Sequence, residues 1–328
     1  MILPIGNHDA HMELRAAISG GTSHHAWLFT GPQGVGKASF ARVAALRLLA
    51  EAAGEPGLTG DFDVPLENPT RHLVAAGSHP DYRELIRLPK EAHKPDQDIA
   101  RSISVAQVRG LQPLFATTPS MSPRRIVLID SVDDLERPGA SNALLKSLEE
   151  PPSETIFFLI SHAPGRLLPT IRSRCRRLRF DPLSPAEMAT VLQPRLPDAS
   201  SVEVAALIKA GDGSPGRALG YAGLEMAALD NVMATIAKDG DATNAERTRL
   251  AKQLAPKAAQ PRYEAFLDLA PTFIAQSSVM RTGPSLRVAL DAYERARALA
   301  VSARALSLDQ QATVYEMAGL VASLARPD

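Results

Sequence analysis

A glycine-rich loop between an apolar run and a helical pattern constrains the fold of this chain more than any other feature. The loop reads Gly-Pro-Gln-Gly-Val-Gly-Lys at 31–37, directly after the apolar run 26–30 and before a helical pattern that extends to about residue 53. Glycines let successive backbone N–H groups point at one anion, and the helix N-terminus adds partial positive charge. The loop predicts a phosphate-binding site formed by Gly31, Gly34, Gly36 and Lys37, with a plain glycine turn as the alternative.

Strand-like runs and helical patterns alternate through residues 1–180. Continuous apolar runs at 126–129 and 156–160 are typical of strands covered on both faces of a parallel sheet, and residues 81–88 alternate as a further strand. A helical pattern at 141–150 lies between the two apolar runs and ends at two prolines. The alternation predicts a doubly wound α/β domain.

The pattern changes to helix alone after Phe180. Residues 184–187 read Ser-Pro-Ala-Glu, a helix-starting capping box, and a similar box begins at Ser200. We therefore predict a small three-helix unit over 181–222. Residues 223–328 contain no strand-like run and predict an all-α helical domain.

Length, charge and cysteine content narrow the class of protein. The 328 residues exceed one ordinary domain, and 45% hydrophobic residues suffice for real cores. The 36 basic residues balance the 36 acidic ones, which argues against a basic DNA-coating protein but permits a local basic stripe. A single cysteine, Cys175, excludes an intramolecular disulfide. Without a signal-like N-terminus or an apolar run near ~18 residues, we expect a cytoplasmic protein with no membrane partner.

Two positions of the phosphate site lack groups that hydrolysis needs. Ala38 follows the loop lysine where a serine or threonine hydroxyl would bind Mg²⁺. Asp130 ends an apolar run and suits Mg²⁺ binding through water, but Ser131 follows where hydrolytic members of this class carry a glutamate. Asp133 and Asp134 are expected to face elsewhere. We hypothesise that this degenerate site binds ATP or ADP but hydrolyses it poorly or not at all.

Four further stretches make the chain resemble bacterial DNA polymerase III clamp-loader subunits of the AAA+ class. They are His-His-Ala-Trp-Leu-Phe at 24–29, Gly-Ser-His-Pro-Asp-Tyr at 77–82, Asn-Ala-Leu-Leu-Lys-Ser-Leu-Glu-Glu-Pro-Pro at 142–152 and Ser-Arg-Cys at 173–175. The likeness covers about residues 1–220. It implies an AAA+ RecA-like parallel-sheet domain at 1–180, a three-helix lid at 181–222 and a helical collar domain, used in oligomerisation, at 223–328.

The same family contains motor subunits, called gamma or tau, and non-motor delta-prime subunits. The motors keep the hydroxyl residue and the glutamate that this chain lacks, whereas the retained Ser-Arg-Cys is similar to the delta-prime branch. An active gamma/tau-like ATPase is the alternative, and a stand-alone P-loop kinase is a more distant one. Family members usually carry a four-cysteine zinc module, but residues 51–80 contain no cysteine, so no zinc is predicted.

The resemblance implies that Arg174, within Ser173-Arg174-Cys175, is an arginine finger for the ATP site of a neighbouring gamma subunit. Such fingers contribute ~10³–10⁵ in rate. The spacing alone favours the interpretation of Arg174 as an ordinary surface arginine. The basic segment around it could instead touch DNA phosphates. The other arginines of this segment are Arg166, Arg172, Arg176, Arg177 and Arg179. Ser161 and Arg217 match the positions of two nucleotide sensors, with a strand-end serine and a packing arginine as equal alternatives.

The implied partners are the gamma/tau and delta clamp-loader subunits, the sliding clamp and primer-template DNA. The implied role is to assist ATP-dependent loading of the clamp as a stator-like subunit. Membership of the complex would place the chain in the DNA polymerase III holoenzyme, a DNA-directed DNA polymerase, with its own ATP hydrolysis absent or very weak.

Overall fold

The computed structural model describes residues 3–19, 24–90 and 99–325. The chain forms two compact units. One comprises Met1–Thr190 with Gly213–Gly216, and the other comprises Val191–Asp212 with Arg217–Asp328. Among the described residues, no helix combines the length and the apolar character that crossing a bilayer requires.

The first unit is built on a parallel five-stranded sheet. Its strands are β1 (Ala26–Thr30), β2 (Tyr82–Ile86), β3 (Arg125–Asp130), β4 (Thr155–Ser161) and β5 (Arg176–Arg179). They lie in the order β2-β3-β4-β1-β5, and every adjacent pair is parallel. The central strands β1 and β4 are buried throughout, because helices cover both faces and apolar side chains can point either way. The predicted α/β sheet is confirmed.

Helices precede, separate and follow these strands along the chain up to residue 192. They are α1 (His8–Ser19), α2 (Lys37–Ala52), α3 (Pro69–Ala75), α4 (Val105–Arg109), α5 (Gln112–Ala116), α6 (Gly139–Glu149), α7 (Pro169–Arg172) and α8 (Pro185–Leu192). Helix α6 buries Leu144 and Leu148 in a cluster that includes Phe157 of β4 and Val127 of β3. The capping box predicted at Ser184 is present, since the Glu187 backbone N–H donates to the Ser184 hydroxyl at 3.3 Å and the Ser184 backbone N–H donates to the Glu187 carboxylate at 2.8 Å.

Helices alone follow in the rest of the described chain, which confirms the predicted all-α region. They are α9 (Ser201–Gly211), α10 (Pro215–Gly220), α11 (Met226–Asp239), α12 (Ala245–Leu254), α13 (Gln260–Ser278), α14 (Gly283–Leu306) and α15 (Gln310–Ala322). Helix α14 packs against α13 and α15 through a stripe of buried alanines at helical spacing, which are Ala289, Ala292, Ala296, Ala300 and Ala303. These small side chains let the neighbouring helices approach closely.

Candidate functional site

The glycine-rich loop joins the end of β1 to the start of α2. Gly31 has a φ of +145° and Gly36, the N-cap of α2, has a φ of +101°, both in the region that favours glycine. At Gly31 a Cβ would lie 2.1 Å from the carbonyl oxygen of Phe180. This contact arises because the Phe180 N–H donates to the Thr30 carbonyl at 2.8 Å, where β5 ends beside β1. Only glycine fits at this point of the loop.

A second segment of the same unit, Gly213–Gly216, holds the middle of the loop. The Ser214 hydroxyl donates to the Gln33 carbonyl at 2.8 Å, and the Gly216 N–H donates to the Gly34 carbonyl at 2.9 Å. Gly34 itself has a φ of +81°. The sequence analysis missed these two hydrogen bonds because Gln33 and Ser214 are distant in the chain. The Gly-Ser-Pro-Gly cluster at 213–216 is a local signal of a turn, but it does not reveal what the turn contacts.

The Lys37 ammonium points back into its own loop. Its Nζ donates to the Gly31 carbonyl at 2.6 Å and to the Pro32 carbonyl at 2.5 Å. Burial lowers the pKa of Lys37 to about 8, although the negative charges of Asp130 and Asp133 oppose this shift. The lysine therefore lies where an anion in the loop would meet it.

On the side of the site where a P-loop domain would bind Mg²⁺, an arginine contacts the acidic residue. Asp130 ends β3 as predicted, and its Oδ2 accepts a hydrogen bond from Arg42 Nη2 at 3.2 Å. Arg42 also donates to Glu84 of β2 at 2.6 Å. Ser131 is buried, and its hydroxyl has no hydrogen-bond partner among the described residues. Ala38 has no oxygen to offer, and Arg42 already contacts the Asp130 carboxylate. This side of the site therefore does not fit Mg²⁺.

The expectation that Asp133 faces away from the site is wrong. A 3-10 turn at Val132–Asp134 brings its carboxylate to the end of β4. There Ser161, which is fully buried, donates from its hydroxyl to Asp133 Oδ1 at 3.0 Å, and the backbone N–H of His162 donates to Oδ2 at 2.5 Å. Asp134 does point elsewhere, towards Arg87 Nε at 3.2 Å.

The Ser-Arg-Cys stretch follows α7 on the surface of the first unit. The Ser173 hydroxyl is exposed and donates to the Thr170 carbonyl at 3.1 Å. The Arg174 side chain is 34% exposed; its Nη2 lies 2.7 Å from Glu149 Oε1, and its Nη1 donates to the Thr170 carbonyl at 3.0 Å. Cys175 is a free thiol, and burial raises its pKa to about 12, which makes it a poor nucleophile.

The other arginines of this segment are divided among different partners. Arg176 lies 3.0 Å from Glu13 and stacks over Trp27, whereas Arg177 donates to the Thr30 hydroxyl at 3.0 Å. Arg179 lies 2.7 Å from Asp181, and Arg166 and Arg172 are exposed. A continuous DNA-binding stripe over these side chains stays a prediction.

Arg217 lies on α10 and begins the second of the two segments that make up the second unit. Its Nε donates to the Tyr221 hydroxyl at 3.1 Å, and that hydroxyl in turn donates to Asp268 Oδ2 at 3.3 Å. This network anchors Arg217 within the second unit, and the role of Arg217 as a nucleotide sensor stays a prediction.

Over residues 3–19, 24–90 and 99–325, no group of three or more His, Cys, Asp or Glu side chains is arranged to hold a metal ion.

The class of protein follows from these relationships. A glycine-rich loop after the inner strand β1, an acidic residue ending β3 and a polar residue ending β4 define an α/β domain of the P-loop type, followed by a helical region. The sequence model of the family described as DNA polymerase III, delta subunit, matches residues 6–184. The chain belongs to this family.

Individual relatives agree with that assignment. The subunit delta' of DNA polymerase III from Pseudomonas aeruginosa is 37% identical over 203 residues, covering 62% of this chain and 57% of that protein. The subunit gamma/tau from Mycobacterium tuberculosis is 31% identical over 220 residues, covering 64% of this chain and 34% of that protein. The match thus spans less than two thirds of either relative. The predicted resemblance to delta-prime subunits is confirmed.

One solved structure shares the fold across both units. A DNA polymerase III gamma-subunit-related protein from Thermotoga maritima aligns over 97% of this chain and 100% of that protein with a TM-score of 0.51. At 15% sequence identity, this likeness concerns the fold alone.

Proposed function

We propose that this chain is a delta-prime, stator-like subunit of a DNA polymerase III clamp loader, and that it assists ATP-dependent loading of the sliding clamp on primer-template DNA. Its partners would be the gamma/tau and delta subunits, the clamp and the DNA, in the cytoplasm. The observation that carries the proposal is the pairing of a partly exposed Arg174 with a phosphate site that lacks its own metal ligand at Ala38. A subunit without its own chemistry can still supply a cation to its neighbour.

The chain's own site fits a phosphate better than it fits a metal. The curled loop and the Lys37 ammonium suit the phosphates of ATP or ADP. Arg42 neutralises Asp130 where Mg²⁺ would otherwise be needed, and Ser131 cannot act as a base towards water. Nucleotide binding with little or no hydrolysis is therefore the behaviour we propose.

Arg174 would act on a neighbouring subunit's ATP. Negative charge grows on the γ-phosphoryl oxygens as the terminal phosphate leaves, and a guanidinium stabilises it through planar, fixed N–H donors. In that role the first 180 residues would form the AAA+ domain, residues 181–222 the lid and residues 223–328 the collar that joins the subunits.

The test is a reconstituted complex of this chain with gamma/tau and delta subunits, clamp and primed DNA. The change Arg174→Ala should lower DNA-stimulated ATP turnover at the site that this chain serves by ~10³-fold. Arg172→Ala is the matched control, because it removes the same charge from an exposed position two residues away. Unchanged turnover with Arg174→Ala would refute the proposal.

An active gamma/tau-like ATPase is the second candidate, favoured by the gamma/tau relative and by the complete Gly-x-x-x-x-Gly-Lys pattern at 31–37. The purified chain alone separates the two. ATP turnover of ~1 s⁻¹, an ordinary enzymatic rate, would support the second candidate. A rate near the uncatalysed background supports the stator.

A further inference from the structure

The two most characteristic stretches of this chain meet through one ion pair. Glu149 is the last residue of α6, within the stretch 142–152, and Arg174 lies just past α7. Glu149 Oε1 is 2.7 Å from Arg174 Nη2, and the Thr170 carbonyl accepts from Nη1 at 3.0 Å. The guanidinium is thus held at both of its terminal nitrogens.

We propose that Glu149 is a positioning residue that holds Arg174 in the orientation in which it meets a neighbouring subunit's phosphate. This inference rests on the proposed function of Arg174. A guanidinium has five N–H donors in one plane. The ion pair at Nη2 and the hydrogen bond at Nη1 restrain that plane, while 34% of the side chain stays exposed and open to a further acceptor.

The physical benefit is a smaller entropic cost. An arginine is rich in rotamers, and ordering one at an interface weakens the interaction by about three- to tenfold. Glu149 and Thr170 impose that order within the subunit before it meets a partner. Restraint of this kind resembles the orientation of metal ligands by their outer hydrogen bonds.

The carboxylate also has an opposing effect, since its negative charge repels an approaching phosphate. Glu149 is 47% exposed, so water screens this repulsion. Orientation should therefore outweigh repulsion, and removing Glu149 should slow the partner's reaction.

The experiment uses the same reconstituted clamp loader. Glu149→Ala should lower DNA-stimulated ATP turnover about three- to tenfold through kcat, and Glu149→Gln, which keeps an acceptor oxygen, should lower it less. Glu150→Ala is the control, because it removes the same charge from the adjacent exposed residue, for which the described residues provide no ion pair. Thermal unfolding of each variant monitors the fold.

A double-mutant cycle decides whether Glu149 acts through Arg174. In the Arg174→Ala background, Glu149→Ala should cause no further loss; a further loss of similar size overturns the inference. Unchanged or faster turnover with Glu149→Ala alone also overturns the inference, because the carboxylate would then have no effect on Arg174 or would weaken its interaction with the phosphate. If Arg174→Ala has no effect, the proposed function fails. If Arg174→Ala is severe while Glu149→Ala is silent, only the present inference fails.

Discussion

Asp133 accepts a hydrogen bond from the Ser161 hydroxyl at 3.0 Å, which joins the turn after β3 to the end of β4. The same carboxylate accepts the His162 backbone N–H. Its charge also acts on Lys37, because it opposes the lowering of that lysine's pKa by burial. The chain thus carries an anion of its own beside the loop, and the Ser161 hydroxyl is already engaged by it.

Neutralising this carboxylate should strengthen nucleotide binding. Asp133→Asn keeps an acceptor for Ser161 but removes a charge that repels phosphate, worth about 1 kcal/mol at a partly exposed site. We expect ATP to bind roughly fivefold more tightly in a calorimetric titration of the purified chain. Asp134→Asn serves as the control, because that carboxylate lies 3.2 Å from Arg87 instead. Equal or weaker binding by Asp133→Asn would argue against an internal anion.

Gly31 should tolerate no side chain. A Cβ there would lie 2.1 Å from the Phe180 carbonyl oxygen, at a φ of +145°. We expect Gly31→Ala to lower the free energy of unfolding by about 2–4 kcal/mol, as measured by urea denaturation. Gly54→Ala isolates the backbone cost, because Gly54 has a φ of +70° but nothing within 4 Å of a Cβ; it should cost about 1 kcal/mol. Equal losses of unfolding free energy in the two variants would show that neighbouring atoms move to relieve the clash at residue 31.

His11 should make the fold sensitive to acid. The ring stacks on Phe40 at 4.0 Å, only 4% of the residue is exposed, and neither nitrogen has a partner among the described residues. Burial, and secondarily His8, lower the pKa of His11 to about 4 from an unfolded value of 6.5. Because the folded-state pKa is the lower one, the contribution of the neutral His11 ring to the free energy of unfolding is constant above pH 6.5. It is lost as the pH falls from 6.5 to about 4, by up to about 3 kcal/mol.

The measurement is urea unfolding of wild type and His11→Phe across that pH range. Phenylalanine keeps an aromatic ring against Phe40 but cannot be protonated. The variant should therefore lose less stability between pH 6.5 and 4 than the wild type. Parallel curves for the two proteins would assign the acid sensitivity to other groups.

Cys175 should be nearly inert in the native chain. Burial raises the pKa of its thiol to about 12, so only ~10⁻⁴ of it is thiolate at pH 8. It is the single cysteine of the chain, so alkylation reports on this residue alone. Iodoacetamide labelling, followed by mass spectrometry, should be roughly 10³-fold faster in urea than in buffer. Comparable rates would mean that the thiol is accessible in the folded protein.

The sequence by itself determined the inner strands, the glycine loop and the absences at Ala38 and Ser131. Apolar runs such as 126–129 and 156–160 have one stable placement, between two layers of helix, and a missing oxygen or carboxylate is visible in the residue type alone. These inferences depend only on neighbours within one strand, one loop or one turn of helix. For the same reason they were open to prediction without knowledge of the chain path.

The tertiary structure alone decided which distant side chains meet. Strand β5 was not predicted, because Arg-Arg-Leu-Arg looks like a charged surface; only Leu178 is buried, at the edge of the sheet. The contacts of Asp133 with Ser161 and of Glu149 with Arg174 join residues about two dozen positions apart or more. The parallel sheet brings the ends of β3 and β4 together at one edge, and local periodicity carries no information about that approach.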